Sequence, residues 1–203
     1  MGFQIQDGTG SSRKAGVNNE NRLQTLSVVE SRVSDVSGRE GKSFILASGF
    51  ISIGVATGDT FQAHTYIKNN SDDDLFIEAI RLCSTAGSGG MNMEGFQTKL
   101  VKNPTSGTII GDAIEAPGIN PSNLGSNQTF DGTVYVASAS GKTFTDGSFM
   151  SNFTTHSPGH TIQIYSGALI LSKGSSLGIE LKPTAAGEVC SEIQCWFESP
   201  LNE

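Results

Sequence analysis

Charge is scarce in this sequence: Asp, Glu, Lys and Arg together make up 16% of its 203 residues. Basic residues are the scarcer sign, 13 Lys and Arg against 20 Asp and Glu, for a formal net charge of −7. That balance argues against general nucleic-acid binding, which needs a basic footprint. No apolar run approaches membrane-spanning length, and "MGFQIQDGTG" carries no basic segment followed by an apolar one. It does not read as a signal peptide. Gly2 follows Met1, but Gln6 stands where a myristoylation signal needs Ser or Thr. The expectation is a soluble protein with neither a membrane nor a nucleic-acid partner.

Cysteine is also sparse, with Cys83, Cys190 and Cys195 and no CxxC or Cys/His spacing of a zinc site. Cys190 and Cys195 lie five apart in one apparent strand, so they point to opposite faces and do not easily bridge. The three read as free buried thiols of a protein assembled in a reducing cytoplasm. There is a single Trp, Trp196, beside the last strand, where it reads as core or interface. A chain of this length buries about 70% of the surface it exposes unfolded, so it needs no metal or disulfide for stability.

What is abundant is Gly, 25 residues, with Ser, Thr and Asn, all better suited to turns than to helix interiors. Short strand patterns recur between turn signals: 22–31, 43–53 with a bend at Gly49, 60–68, 75–83, 95–110 with a turn at Asn103–Pro104, 129–138, 160–172, 176–182 and 188–199. In 60–68, Phe61, Ala63, Thr65 and Ile67 fall on one face and Gln62, His64, Tyr66 and Lys68 on the other. Residues 75–83 also fit helical spacing, but in this context they read as a strand buried on both faces. Residues 111–128, with two prolines, read as a long loop. About eight strands follow the first segment, and no internal repeat is visible. The fold class is all-β, an antiparallel β-sandwich and most simply a jelly roll. Residues 1–22 form an extended N-terminal arm, and 23–203 the sandwich.

Chemistry-bearing motifs are weak. "GTGSS" (8–12) and "GSGG" (87–90) lack the Lys-Ser/Thr ending of a phosphate loop. His64, His156 and His160 have no evident ligand partners; "HSPGH" contains Pro158 and Gly159, so no helix presents its two histidines together. "DDD" (72–74) reads as a solvated turn rather than a calcium loop. No GxSxG elbow occurs. The sequons at Asn69, Asn127 and Asn152 matter only in a secreted eukaryotic protein. No catalytic, metal or cofactor site is assigned, and the chain reads as a non-enzyme.

The charge is unevenly distributed. Residues 1–42 hold six basic side chains (Arg13, Lys14, Arg22, Arg32, Arg39, Lys42) and five acidic ones (Asp7, Glu20, Glu30, Asp35, Glu40), leaving −8 on the rest. Residues 4–22 cannot bury enough apolar surface to fold alone. Such an arm can lie across a neighbour, with Arg13, Lys14, Asn21 and Arg22 as anchors to an acidic surface.

The stretch "DGTGSSRKAGVNNENRLQTLSVVES" (7–31) resembles the start of a group of small tailed-phage virion structural proteins. The likeness extends through "FQAHTYIKNNSDDDLFIEAIRL", "KNPTSGTII" and "KGSSLGIELKPTA", and lapses in 111–128. It implies a β-sandwich body with an extended arm, assembled in the host cytoplasm and located in the virion. Capsid decoration (cement) is one implied role, with the major capsid protein as partner and a homotrimer as the oligomer; a neck or tail accessory is another. Two readings from other classes stand beside it. A host-glycan-binding sandwich needs an exposed aromatic patch, and a cupin-like metalloenzyme needs an "HxH" pair that these histidines do not form.

Overall fold

The computed structural model describes residues 16–17, 23–24, 40–55, 60–86, 95–111, 114–115, 118–156 and 159–199. The chain divides into two compact units, 1–31 and 32–203. In the first, β1 (Gly16–Val17) pairs antiparallel with β2 (Leu23–Gln24), Gly16 opposite Gln24. The rest of the expected strand at 22–31 lies outside the described residues.

The second unit is a sandwich of two antiparallel sheets. Its elements are β3 (Ser43–Ala47), β4 (Ile51–Ile53), β5 (Gln62–Asn69), β6 (Asp74–Ala86), β7 (Gly95–Lys102), a one-turn helix α1 (Thr108–Gly111), β8 (Ile114–Glu115), β9 (Gly118–Pro121), β10 (Gly132–Val136), β11 (Ser148–His156), β12 (Gly159–Leu171), β13 (Ser176–Pro183) and β14 (Gly187–Glu198). The first sheet runs β12-β6-β14-β3-β9, with β4 also on β14; the second runs β11-β7-β13-β5-β10-β8. Without the accessory strands the orders are β12-β6-β14-β3 and β11-β7-β13-β5. First strand lies beside last and second beside next-to-last, which is the jelly-roll order.

Alternation explains the core. Leu177, Ile179 and Leu181 of β13 and Val189, Ile193, Cys195 and Phe197 of β14 all point between the sheets, as their spacing predicts. They meet Ile67 of β5, Leu75, Ile77, Ile80 and Leu82 of β6, and Phe96 and Leu100 of β7. The stretch 75–83 is a strand, but it is not buried on both faces: its outward Arg81 is exposed and Phe76 and Cys83 are half-buried.

The segment 103–147 joins β7 to β11. Its 111–128 portion, expected as a loop, contributes β8 and β9. It wraps the outer face of the second sheet, where Ile109 and Ala137 pack on Ala63 and Tyr66, with Tyr135 and Phe144 against them. Phe144 lies flat on Gly178 of β13, where a Cβ would sit 2.5 Å from the ring. The two ends of this segment are tied by Asp146, whose carboxylate accepts from the Thr105 and Ser106 amides and the Thr105 hydroxyl. Those bonds, led by the Thr105 hydroxyl, hold its carboxyl down to about 2.

Asn69 fixes the turn between β5 and β6. Its side-chain amide donates to the carbonyls of Asp73 and Leu171, each at 2.8 Å, while its oxygen accepts from the Ser71 amide. The residue is fully buried, so its sequon is closed in the folded protein. Asn69→Ala strands two buried carbonyls and an amide, and should lower unfolding stability by about 2–4 kcal/mol in urea titration. Asn69→Asp should be no better, because a carboxylate has no N–H for those carbonyls.

Candidate assembly surface

A jelly roll leaves four sheet edges. On the side of β3 and β5 this chain adds β9 to one sheet and β10 and β8 to the other. On the opposite side β12 and β11 are the outermost strands, and among the described residues of this unit nothing pairs with their outer edges. Natural proteins usually protect such edges with charge, Pro or brevity. These two are 13 and 9 residues long. From Gly147 to Ser172 the sequence contains no Asp, Glu, Lys or Arg.

The outward face of β12 is apolar as well. Ile164 is 70% exposed, Ile170 45% and Ile162 40%, and on β11 Phe149 is 63% exposed. Large apolar side chains exposed along one strand of a small protein suit an interaction site. Charged groups begin one strand inward, where Arg81 of β6 and Glu192 of β14 pair at 2.7 Å.

A bulge shapes this edge. The β12–β6 register breaks between Ile164 and Leu169, with Ser166 at φ 50° and Gly167 at φ 76°. The bulge folds β12 over Trp196, which stacks on Phe76 with ring centres 5.4 Å apart and planes 8° apart. A Cβ on Gly167 would fall 2.7 Å from the indole, so this position needs Gly on two counts. Trp196 is only 2% exposed. It is packed away, as its place beside the last strand implied, and offers no sugar platform.

The predicted anchors Arg13, Lys14, Asn21 and Arg22 lie outside the described residues. The histidines fall in different places. His156 stands opposite Gly95 in the second sheet, and His160 opposite Cys83 in the first. His64 is buried between the sheets, contrary to the simple alternation expected of 60–68. The β5–β13 register shifts between Ile179 and Glu180, so His64 and Thr65 both turn inward and Ala63 joins Tyr66 on the outer face. Among the described residues no three His, Cys, Asp or Glu side chains come together as metal ligands.

The buried pair forms a polar seam across the sandwich. His64 Nε2 lies 3.3 Å from the Val189 carbonyl, which only accepts, so this nitrogen carries the proton. Nδ1 then accepts from the Thr65 hydroxyl at 2.8 Å, and Thr65 accepts from Ser191 at 2.8 Å. The Ser191 amide donates to Ser48 Oγ, so the seam reaches the end of β3.

Burial lowers the His64 pKa from 6.5 to about 4. The unfolded chain takes up a proton at this residue near pH 6.5 and the folded chain only near pH 4. Acidification through that window therefore favours unfolding, by roughly 1.4 kcal/mol per pH unit and about 3 kcal/mol in all. His64→Gln should flatten this part of the stability–pH curve, as read from urea midpoints between pH 7 and 4.

A cleft of about 250 Å³ opens between the 103–147 segment and the second sheet, lined by Lys99, Phe144, Asp146, Phe149 and Glu180. Its cation is already engaged: Lys99 Nζ pairs with the nearly buried Glu180 at 2.7 Å and sits 5.6 Å from the Phe61 ring centre.

No family model matches this chain, and no curated protein matches it. Two solved virus structures align with it over most of both chains. One is described as "KBV activated particle at acidic pH" (13% identity, TM-score 0.24, 97% of this chain and 84% of that one). The other is "Israeli acute paralysis virus heated to 63 degree - full particle" (11% identity, TM-score 0.22, 98% and 80%). At such scores the alignments carry no argument about this chain. Its own strand order defines it as a jelly-roll protein in which, among the described residues, one side is protected by added strands and the other ends in two uncharged strands.

Proposed function

We propose that this chain is a non-enzymatic structural protein of a phage particle, which decorates or stabilises the capsid through subunit contacts. The observation that carries the reading is the open side of the sandwich. Long, uncharged edge strands bearing exposed isoleucines are a hazard in a free monomer and an asset in an assembly. The acidic body points the same way: two copies repel each other over most of their surface, and the β11–β12 side carries none of that charge. The sequence resemblance to tailed-phage virion proteins supplies the particle. In this reading the open edge joins copies of the chain, as a trimer. Residues 1–22, anchored by Arg13, Lys14, Asn21 and Arg22, reach an acidic surface of the major capsid protein or of a neighbouring subunit.

A second reading, a host-glycan-binding module of the virion, draws on one feature: Phe149 projects beside the cleft that holds Asp146 and Glu180. An exposed ring next to carboxylates suits a sugar.

Three full-body proteins test these readings: the intact chain, Ile164→Lys, and a chain starting at Arg22. Each is sized by light scattering and then mixed with particles stripped of this protein. The intact chain should be oligomeric and bind particles. Ile164→Lys, altered at a 70% exposed side chain, should remain folded and become monomeric. The shortened chain should lose at least tenfold in particle affinity. An intact chain that is monomeric and ignores particles would sink the assembly reading, and retention on a glycan array that Phe149→Ala abolishes would favour the second.

A further inference from the structure

Cys83 of β6 and Cys190 of β14 stand directly opposite each other in the central ladder of the first sheet. Spacing in the sequence draws attention to Cys190 and Cys195, but the sheet order creates a different pair. Opposed residues of an antiparallel ladder share a face, with Cα atoms about 4.5–5.5 Å apart. A disulfide spans about 4.4–6.8 Å between Cα atoms, so this ladder needs no backbone movement to accept one. Burial, and then the adjacent Cys83 thiol, raise the pKa of Cys190. Both cysteines are free and half-buried on the outer face, whereas Cys195 is free and wholly enclosed.

We propose that Cys83 and Cys190 close into a cross-strand disulfide when the folded protein meets a small-molecule disulfide such as oxidised glutathione. One cysteine thiolate attacks a sulfur of the oxidant and expels the other half as a thiolate. The second cysteine thiolate then attacks the mixed disulfide at the protein sulfur and releases the remaining half. Two cysteine sulfurs are oxidised, one external disulfide is reduced to two thiols, and the two cysteine protons end on those thiols. Cys195 takes no part, because nothing reaches it. The bond would tie the two strands that carry the first sheet's wings, across a long loop of chain. The gain is largest for such loops and should raise the thermal midpoint by on the order of 10 °C. The chemistry does not depend on the virion reading, though its timing would: thiols kept reduced during cytoplasmic assembly would lock after release.

The full chain is incubated natively with oxidised glutathione, then alkylated and weighed intact. The expected result is loss of two hydrogen masses, one alkylatable thiol in denaturant, and a linked peptide pair containing Cys83 and Cys190. Cys195→Ser should show the same loss of two hydrogen masses and the same linked pair with no alkylatable thiol left, and Cys83→Ser should show no internal bond. Mixed glutathione adducts without closure, or a Cys83–Cys190 bond that forms only in urea, would overturn the proposal. Because these outcomes are read on the monomer's own mass, they stand apart from the fate of the assembly reading.

Discussion

Edges are the constraint on which this architecture depends. Two sheets folded face to face satisfy every interior backbone group, but each sheet ends in a strand with one row of amides and carbonyls left over. The chain commits the 103–147 segment to solving that problem on one side only. It lays β9 against β3, β10 and β8 beyond β5, and Phe144 over the glycine of β13. The side chain of Asp146 then pins the end of the segment to its beginning. Among the described residues nothing comparable lies against the outer edges of β11 and β12. The asymmetry is economical only if those edges meet something other than water.

The interior is specified by polar placement as well as by apolar bulk. A β-sandwich core of Leu, Ile and Val tolerates sliding of one sheet over the other, because its contacts are non-directional. The seam from His64 through Thr65 to Ser191 and Val189 is directional. It works only in one register of β5 against β14, and it needs the bulge that turns two consecutive residues inward. Asn69 does the same at the far end of β5, joining the turn before β6 to the end of β12. The two polar fixtures bracket Ile67 and hold the sheets in a single alignment.

The period-2 patterns of 176–182 and 188–199 were legible because both strands are regular and central, with one face enclosed by the opposite sheet. The strand count and the turn chemistry between strands were enough for the jelly roll. Legibility failed where pairing partners decide the outcome. A bulge at His64 depends on β13, which lies over a hundred residues away, so alternation placed Ala63 and Thr65 on one face when they occupy two. Burial along 75–83 departs from alternation for the same kind of reason: the register shift at Gln194/Cys195 lets Ile77 and Ile80, three apart, both face the core. The uncharged run from Gly147 to Ser172 is plain in the sequence, yet it signals a surface only once its strands are known to be edges. Cys83 and Cys190 are distant in sequence and become neighbours only through the β6–β14 ladder. The four arm residues rest on charge, composition and resemblance alone.

Low charge and an acidic balance then acquire a spatial meaning. Acidic groups spread over a body of this size keep copies apart at a distance, and screening limits that repulsion to about 8 Å at physiological salt. Within that range, contact geometry decides. In the proposed assembly, edge strands without charge, ridged by isoleucines, would let two copies gain apolar burial and strand pairing together. The scarcity of charge thus has a place as well as a value: the sequence withholds charge from the two strands whose outer edges are unpaired among the described residues.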